Sequence, residues 1–153
     1  MSSGQPLRGK ANRREPRQET LPAQGLFRGR TVARRFESPD GFIVLVGKTA
    51  ADNDDLSLRL ARPADFWLHA ASGAGSHVLV LNDSGVDRLP RATRDFAAAL
   101  AARYSKSRAG GRVAVHLARG RDVGKPRGAP PGRVALRRSE TVFARPAEAG
   151  VLD

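Results

Sequence analysis

The chain has 153 residues and a formal net charge of +12, with 27 lysines and arginines against 15 aspartates and glutamates. This length suits one domain with a modest core, and the charge favours an anionic partner, most simply nucleic acid. The absence of cysteine excludes disulfides, thiolate metal sites and a cysteine nucleophile. No apolar run approaches the ~20 residues of a membrane span, and an apolar signal segment is absent, so we expect a soluble, cytoplasmic protein.

Residues 1–25 predict a basic, disordered tail, because they are rich in Ser, Gly, Pro, Gln and Arg and contain few apolar residues. Two roles stay open for this tail. It is either a solubilising leader or an arm that binds phosphates without sequence specificity. We place the folded domain at residues 26–147 and a short C-terminal tail at 148–153.

The first half of the domain predicts strands and a helix in alternation. Residues 28–37 predict a strand that ends at the Pro-Asp-Gly turn signal of residues 39–41. The continuous apolar run at 42–46 predicts a strand that is buried on both faces. Residues 48–60 predict a short helix, which ends before the Arg-Pro pair at 62 and 63.

Residues 65–70 carry the pattern that most strongly suggests a site. Apolar residues at 66, 68 and 70 alternate with Asp65, Trp67 and His69, and in a strand the two sets lie on opposite faces. A second strand at 77–81 predicts a hairpin around residues 72–75. We expect the apolar set to face a core and the row of carboxylate, indole and imidazole to be exposed as a contact surface.

Residues 90–107 predict the main helix. Pro90 suits a first turn, the apolar side chains fall on one face, and Gly110 and Gly111 end the helix. The residues near its end that we expect to contact phosphate are Arg103, Ser105, Lys106 and Arg108.

The last third predicts a strand at 112–118 with His116 on its polar face, and two short strands at 133–136 and 141–144. Between the strands at 112–118 and 133–136, residues 125–132 form a basic loop that three prolines stiffen. A stiff loop loses little entropy on binding, so we expect phosphate contacts from Lys125, Arg127 and Arg133. The fold class is α+β, a mostly antiparallel sheet with one main covering helix and a shorter helix.

Three catalytic or metal sites are considered and set aside. Asp65, His69 and His77 have side chains that bind metals, but no third imidazole or acidic cluster is expected nearby, so we expect no metal and no cofactor. Ser76 and His77 are adjacent, which places their side chains on opposite faces of a strand and indicates no hydrolase triad. Gly47-Lys48 does not complete a P-loop with Gly41, because the spacing fails by one residue and the intervening residues 42–46 predict a strand where a phosphate-binding loop is needed.

Five pieces of the sequence, in order between about residues 41 and 146, resemble the NFACT-R family, also called DUF814. This family is the RNA-binding domain of ribosome quality-control factors that tail stalled nascent chains. The pieces are Gly47-Lys48 with Asn53-Asp54 and Leu56; Asp65 to Ala70; Gly75-Ser76-His77-Val78; Ala97 to Ala102 with Tyr104-Ser105; and Val123 to Gly132.

The resemblance implies binding to structured RNA, either tRNA or rRNA of the large ribosomal subunit. It also places Asp65, Trp67 and His69 on the family's Asp-x-Trp-x-His motif as an RNA-facing site. Large family members carry an N-terminal domain and a coiled-coil hairpin before this module. We therefore expect a stand-alone RNA-binding module that does not elongate tails.

Three functions follow from these observations. The first is a non-catalytic RNA-binding protein of translation or ribosome quality control, in which Trp67→Ala weakens RNA binding by about 1–3 kcal/mol without unfolding. The second is an RNA-modifying or RNA-processing enzyme that uses Asp65, His69 and His77. The third is a basic module whose partner is a protein. The residues expected to contact RNA are Asp65, Trp67, His69, Ser76, His77, Arg103, Ser105, Lys106, Arg108, Lys125, Arg127 and Arg133.

Overall fold

The computed structural model describes residues 19–107, 109 and 111–148. The strands are β1 (Leu26–Phe27), β2 (Arg30–Thr31), β3 (Ala33–Glu37), β4 (Ile43–Gly47), β5 (Phe66–Ala70), β6 (Val78–Val80), β7 (Val113–Arg119), β8 (Val123–Gly124), β9 (Ala135–Leu136) and β10 (Glu140–Ala144). The helices are α1 (Ala50–Asp54), which continues as a π-helical segment (Asp55–Leu60), and α2 (Arg91–Arg103). Short 3-10 helices lie at Pro22–Gln24 and Gly120–Asp122.

Six strands form an antiparallel sheet in the spatial order β10-β7-β5-β6-β4-β3. Two small hairpins, β1-β2 and β8-β9, lie outside it. With α2 as the main helix and α1 as the shorter one, the α+β class is confirmed. None of the described helices has the length and apolar character needed to cross a membrane.

The sheet separates two cores, so both of its faces are covered over β5. On one face, α2 packs Ala97, Leu100 and Ala101 against strand residues that include Leu68 and Val115. On the other face, a second cluster combines the π-helical segment and the β8-β9 hairpin with the central strands. Its members include Leu45, Leu56, Leu60, Trp67 and Leu79, with Val134 and Leu136 packed against them.

Several predicted elements are confirmed with shifted ends. The hairpin of β5 and β6 pairs Phe66 with Val80 and Leu68 with Val78, as the alternation predicted. The predicted strand 28–37 is wrong in its first part, because Arg28 and Gly29 have positive φ and turn the chain between β1 and β2. Helix α2 ends at Arg103, before the predicted end at 107, because the next residues turn back toward the β5-β6 connection.

Some predictions lie partly outside the described residues. Of the predicted tail at 1–25, residues 1–18 are outside, whereas residues 19–25 are described and include the 3-10 helix Pro22–Gln24. The Arg35 Nε donates to the Ala23 carbonyl at 2.9 Å, which ties this helix to β3. Arg108, Gly110 and residues 149–153 are also outside the described residues.

Candidate functional site

A cleft of about 1310 Å³ collects many of the residues that the sequence analysis selected. Trp67 and His69 of β5 and His116 of β7 contribute to its lining, on the sheet face away from α2. We call it the basic cleft and define it by its charged and imidazole side chains. They are Lys48, Arg103, Lys106, Arg133, His69 and His116.

The charge of the basic cleft is of one sign. Lysine and arginine side chains line it from α2, the loop before β9 and the end of β4, and no described lining residue is an aspartate or glutamate. A concave surface of one sign focuses its electrostatic potential and concentrates counter-ions. The cleft is therefore built to attract an anion.

The Trp67 side chain is 1% exposed, so the expectation of an exposed indole is wrong. Its Nε1 donates to Ser57 Oγ at 2.7 Å. Since an indole N–H only donates, the Ser57 hydroxyl accepts this bond, and the same oxygen lies 2.7 Å from His77 Nδ1. Trp67 is part of the wall of the cleft, because α1 and its π-helical continuation cover the polar side of β5.

The hydrogen bonds of His77 determine its tautomer. The Gly132 carbonyl can only accept, so Nε2 carries the proton and donates to it at 3.1 Å. Nδ1 of the neutral ring then accepts from the Ser57 hydroxyl. Burial of the ring, followed by the proximity of His69, lowers the pKa of His77 to about 3. His77 is thus neutral at physiological pH and joins β6 to the loop before β9.

His69 and His116 are directly opposite each other on β5 and β7. His69 Nε2 donates to the Gly75 carbonyl at 3.2 Å, and its ring lies 4.6 Å from that of His77 between centroids. Burial first, and then the neighbouring His116, lower the pKa of His69. The expectation that no third imidazole lies near was wrong, because cross-strand pairing places His116 there. Even so, no set of three or more histidines and carboxylates in the described residues is arranged to hold a metal ion.

Asp65 is 1% exposed and holds the fold behind the cleft rather than lining it. Its carboxylate accepts from the backbone N–H groups of Arg62 and Asn82, both at 2.8 Å. It also pairs with the Arg62 guanidinium at 2.9 Å. The hydrogen bond to Asp65 is the largest cause that raises the pKa of Arg62. Asp65 therefore connects the end of the π-helical segment to the loop that follows β6.

One rim of the basic cleft is formed where the β5-β6 loop meets the end of α2. Gly75 bridges to Ser105, and a Cβ at Gly75 would lie 2.7 Å from the Tyr104 carbonyl oxygen, so this approach requires glycine. The Ser76 N–H donates to the same carbonyl at 2.9 Å. Ser105 is buried and its hydroxyl donates to the Ala102 carbonyl at 2.7 Å. The exposed Lys106 is the side chain this rim presents to solvent.

The opposite rim is the loop between β8 and β9. Lys125 Nζ donates to the carbonyls of Pro130 and Arg133, at 2.6 and 2.9 Å, and pairs with Asp54 at 3.0 Å. Lys125 therefore holds the loop together, and Arg133 is exposed on the cleft. Arg127 is exposed but does not line the cleft.

Arg103 lies on the rim at the end of α2, and its guanidinium is only partly hydrogen bonded. Its guanidinium donates to the Ala147 carbonyl at 3.1 Å, and its buried Nε has no acceptor among the described residues. The Nδ1 of His116 is likewise buried without a partner in the described residues. Buried donors and acceptors are normally paired, so these two atoms are exceptions within the described residues.

Sequence reasoning did not select Lys48 and His116, which line the cleft, or the exposed side chain of Phe143. Phe143 of β10 is 59% exposed, and the Arg112 guanidinium lies 5.1 Å from its ring centre. Val142 packs toward α2, which places Phe143 on the sheet face of His116. The alternation along 140–144 was the available signal for Phe143, whereas Lys48 and His116 depend on long-range contacts.

The chain matches the family described as the NFACT protein RNA binding domain over residues 32–138. It belongs to this family. It is 36% identical over 115 residues to the "Rqc2 homolog RqcH" of Bacillus subtilis, with 75% of this chain and 20% of that protein covered. The protein of the same name from Streptococcus suis is 35% identical over 120 residues, with 78% and 21% covered.

A solved structure agrees with this assignment. It is the C-terminal part of the fibronectin/fibrinogen-binding protein from Streptococcus suis, which superposes with a TM-score of 0.72 at 33% identity. The superposition covers 78% of this chain and 47% of the other. The chain spans about a fifth of the length of the curated relatives.

Proposed function

We propose that this chain is an RNA-binding module of ribosome quality control and that the basic cleft receives the RNA. The observation that carries the proposal is the lining of the cleft, which combines four cationic side chains and two imidazoles with no described carboxylate. Phosphates supply most of the affinity in such complexes. The family description supports RNA as the anion, and tRNA or large-subunit rRNA is the RNA we propose. Its place of action is then the cytoplasm, and no catalytic step is part of the proposal.

The roles of the cleft residues follow from their exposure. Lys48, Lys106 and Arg133 are exposed and contact phosphates. The half-buried His116 ring also lines the cleft, where an imidazole can meet a ribose hydroxyl or a base edge, which are the groups that distinguish RNA from DNA or one sequence from another. Trp67 and His77 act indirectly, because their hydrogen bonds hold the wall that carries Gly132.

The RNA test removes two positive charges from opposite rims of the basic cleft. Affinity for tRNA and for large-subunit rRNA fragments is measured by fluorescence anisotropy over a series of salt concentrations. Lys106→Gln with Arg133→Gln is expected to weaken binding on the order of tenfold at physiological salt, because each lost phosphate contact lowers the salt slope by about 0.7–0.9. Both side chains are exposed, so the free energy of unfolding is expected to stay within about 0.5 kcal/mol of wild type.

The matched control removes the same charge elsewhere. Arg59→Gln with Arg91→Gln changes two exposed arginines that do not line the cleft, and we expect a smaller loss of affinity. Equal losses in the two double variants would contradict the proposal and favour the basic protein-interaction module, whose RNA affinity comes from net charge alone. Crosslinking in cells followed by sequencing identifies whether tRNA or rRNA is lost with the cleft variant.

Phe143 is the aromatic side chain that we propose stacks on an unpaired base beside the basic cleft. Phe143→Ala is expected to weaken binding of RNA with single-stranded loops about fivefold, at the low end of the stacking range because the ring already contacts Arg112. Phe143→Leu keeps the apolar bulk and not the ring. We expect it to bind as weakly as the alanine variant, and wild-type affinity in Phe143→Leu would show that the contact is not stacking. Binding of blunt duplex RNA is the comparison that is expected to stay unchanged.

A further inference from the structure

A second groove, of about 860 Å³, lies beside the N-terminal part of α2, where β5 begins and β7 ends. Among the described residues, none of those that the sequence predicted to contact RNA lines it. Arginine dominates its lining, and we call it the arginine groove. The six arginines are Arg88, Arg94, Arg119, Arg121, Arg137 and Arg138.

Three of these guanidinium groups are held by the protein itself. Arg137 pairs with Asp122 at 3.2 Å, and Arg94 lies 3.3 Å from the carboxylate of Asp95. Arg119 lies 4.3 Å from the ring centre of Phe66, while its Nε is buried without an acceptor among the described residues. These contacts keep the three planes in place, so they lose little conformational entropy when a ligand binds.

The other three arginines of the groove are free of ion pairs with the described residues. Arg88, Arg121 and Arg138 are exposed, and none of their side chains forms an ion pair with a described residue. Two exposed carboxylates, Asp87 and Glu140, also line the groove. The arginines exceed the carboxylates by three, because Asp122 is the only other acidic residue in the described lining. The groove is cationic, although less strictly so than the basic cleft.

We propose that the arginine groove binds the phosphodiester backbone of a second stretch of the RNA whose first stretch occupies the basic cleft. This inference rests on the proposed function. Ser139, in the connection from β9 to β10, is exposed and lines both the cleft and the groove, so a single polyanion can pass from one to the other. Guanidinium groups match phosphate oxygens in pairs, and an RNA that spans both surfaces gains the affinity of a linked, two-site contact.

The consequence is a dependence on RNA length. A single-stranded RNA of about five nucleotides occupies the basic cleft alone, whereas a folded tRNA reaches both surfaces. The affinities of the full chain for the five-nucleotide RNA and for tRNA therefore distinguish binding in the basic cleft from binding in the arginine groove. Salt dependence then counts the phosphates contacted in each case.

The test is the variant Arg88→Gln with Arg121→Gln and Arg138→Gln. For tRNA, its affinity is expected to fall on the order of 50-fold at physiological salt and its salt slope by about two, whereas for the five-nucleotide RNA both quantities stay at wild-type values. The control changes three exposed arginines outside the groove, Arg59, Arg91 and Arg145, to Gln. It is expected to change tRNA affinity much less than the groove variant does.

Three results would overturn the inference. The first is wild-type tRNA affinity in the groove variant while Lys106→Gln with Arg133→Gln weakens binding, which leaves the proposed function standing. The second is wild-type affinity in both variants, which overturns the proposed function as well. The third is a groove variant that keeps wild-type tRNA affinity but no longer binds a polyglutamate peptide that the wild-type chain binds. This result would assign the groove to an acidic protein partner. Circular dichroism at matched temperature establishes that each variant is folded.

Discussion

Trp67→Ala is expected to lower the free energy of unfolding by about 3–5 kcal/mol. The indole is among the largest fully buried side chains and packs in the cluster that contains Leu45, Leu56 and Leu79. Its removal leaves a cavity in this core, and Ser57 loses the N–H that it accepts from. Urea denaturation followed by circular dichroism measures the change. Any loss of RNA binding is expected to follow from this destabilisation and not from a lost stacking contact.

Trp67→Phe separates packing from the hydrogen bond. Phenylalanine keeps most of the apolar volume but donates nothing to Ser57, so we expect a smaller loss of about 1–2 kcal/mol. Measured at a temperature where both variants are folded, RNA affinity is expected to be close to wild type in Trp67→Phe. If Trp67→Ala instead had wild-type stability and weakened RNA binding, the result would support the exposed, base-stacking tryptophan that the sequence alone predicted.

The strand pattern shows what a local signal predicts well. The alternation along residues 65–70 correctly assigned Phe66 and Leu68 to one face of β5 and Trp67 and His69 to the other. A period of two is a property of the extended backbone, so it needs no knowledge of distant residues. The hairpin with β6 and the buried strand β4 were predictable for the same reason.

The same pattern did not predict which faces are covered. The polar side of β5 is buried because the π-helical segment and residues 123–136, far along the chain, pack over it. Trp67 and His77 can be buried because Ser57 and the Gly132 carbonyl form hydrogen bonds with their polar atoms. A polar row on a strand is thus compatible with either solvent or a satisfied interior, and only the tertiary partners decide between them.

Long-range pairing also assembled the basic cleft. His116 stands opposite His69 through the β5-β7 register, which no sequence spacing reveals. Lys106 and Arg133 were selected singly for their charge, and the fold brings them to opposite rims of one cleft. Lys125 was selected on the same grounds, yet its ammonium group is occupied by two carbonyls and Asp54. The net charge predicted an anionic partner, and the tertiary contacts determine which lysine and arginine side chains are available to bind it.

Acidification is expected to destabilise the protein between about pH 7.5 and pH 5. The pKa of His77 falls from about 6.5 in the unfolded chain to about 3 in the fold, so between these two pH values the unfolded state binds the proton and the folded state does not. Stability therefore falls as the pH drops below about 6.5, and His77 alone accounts for about 2 kcal/mol at about pH 5. The lowered pKa of His69 acts in the same direction. Urea denaturation at a series of pH values measures the slope.

Two variants of His77 assign this slope, because each keeps one of the ring's hydrogen bonds and removes its titration. His77→Asn offers an acceptor near the Ser57 hydroxyl, and His77→Gln offers a donor near the Gly132 carbonyl. Both are expected to be less stable than wild type at neutral pH and to lose stability less steeply on acidification, with His69 supplying what remains. A slope as steep as wild type in both variants would mean that the histidine is not the group responsible. A flattened slope would establish that His77, which is neutral in the fold and joins β6 to the loop before β9, is the group responsible for the loss of stability in acid.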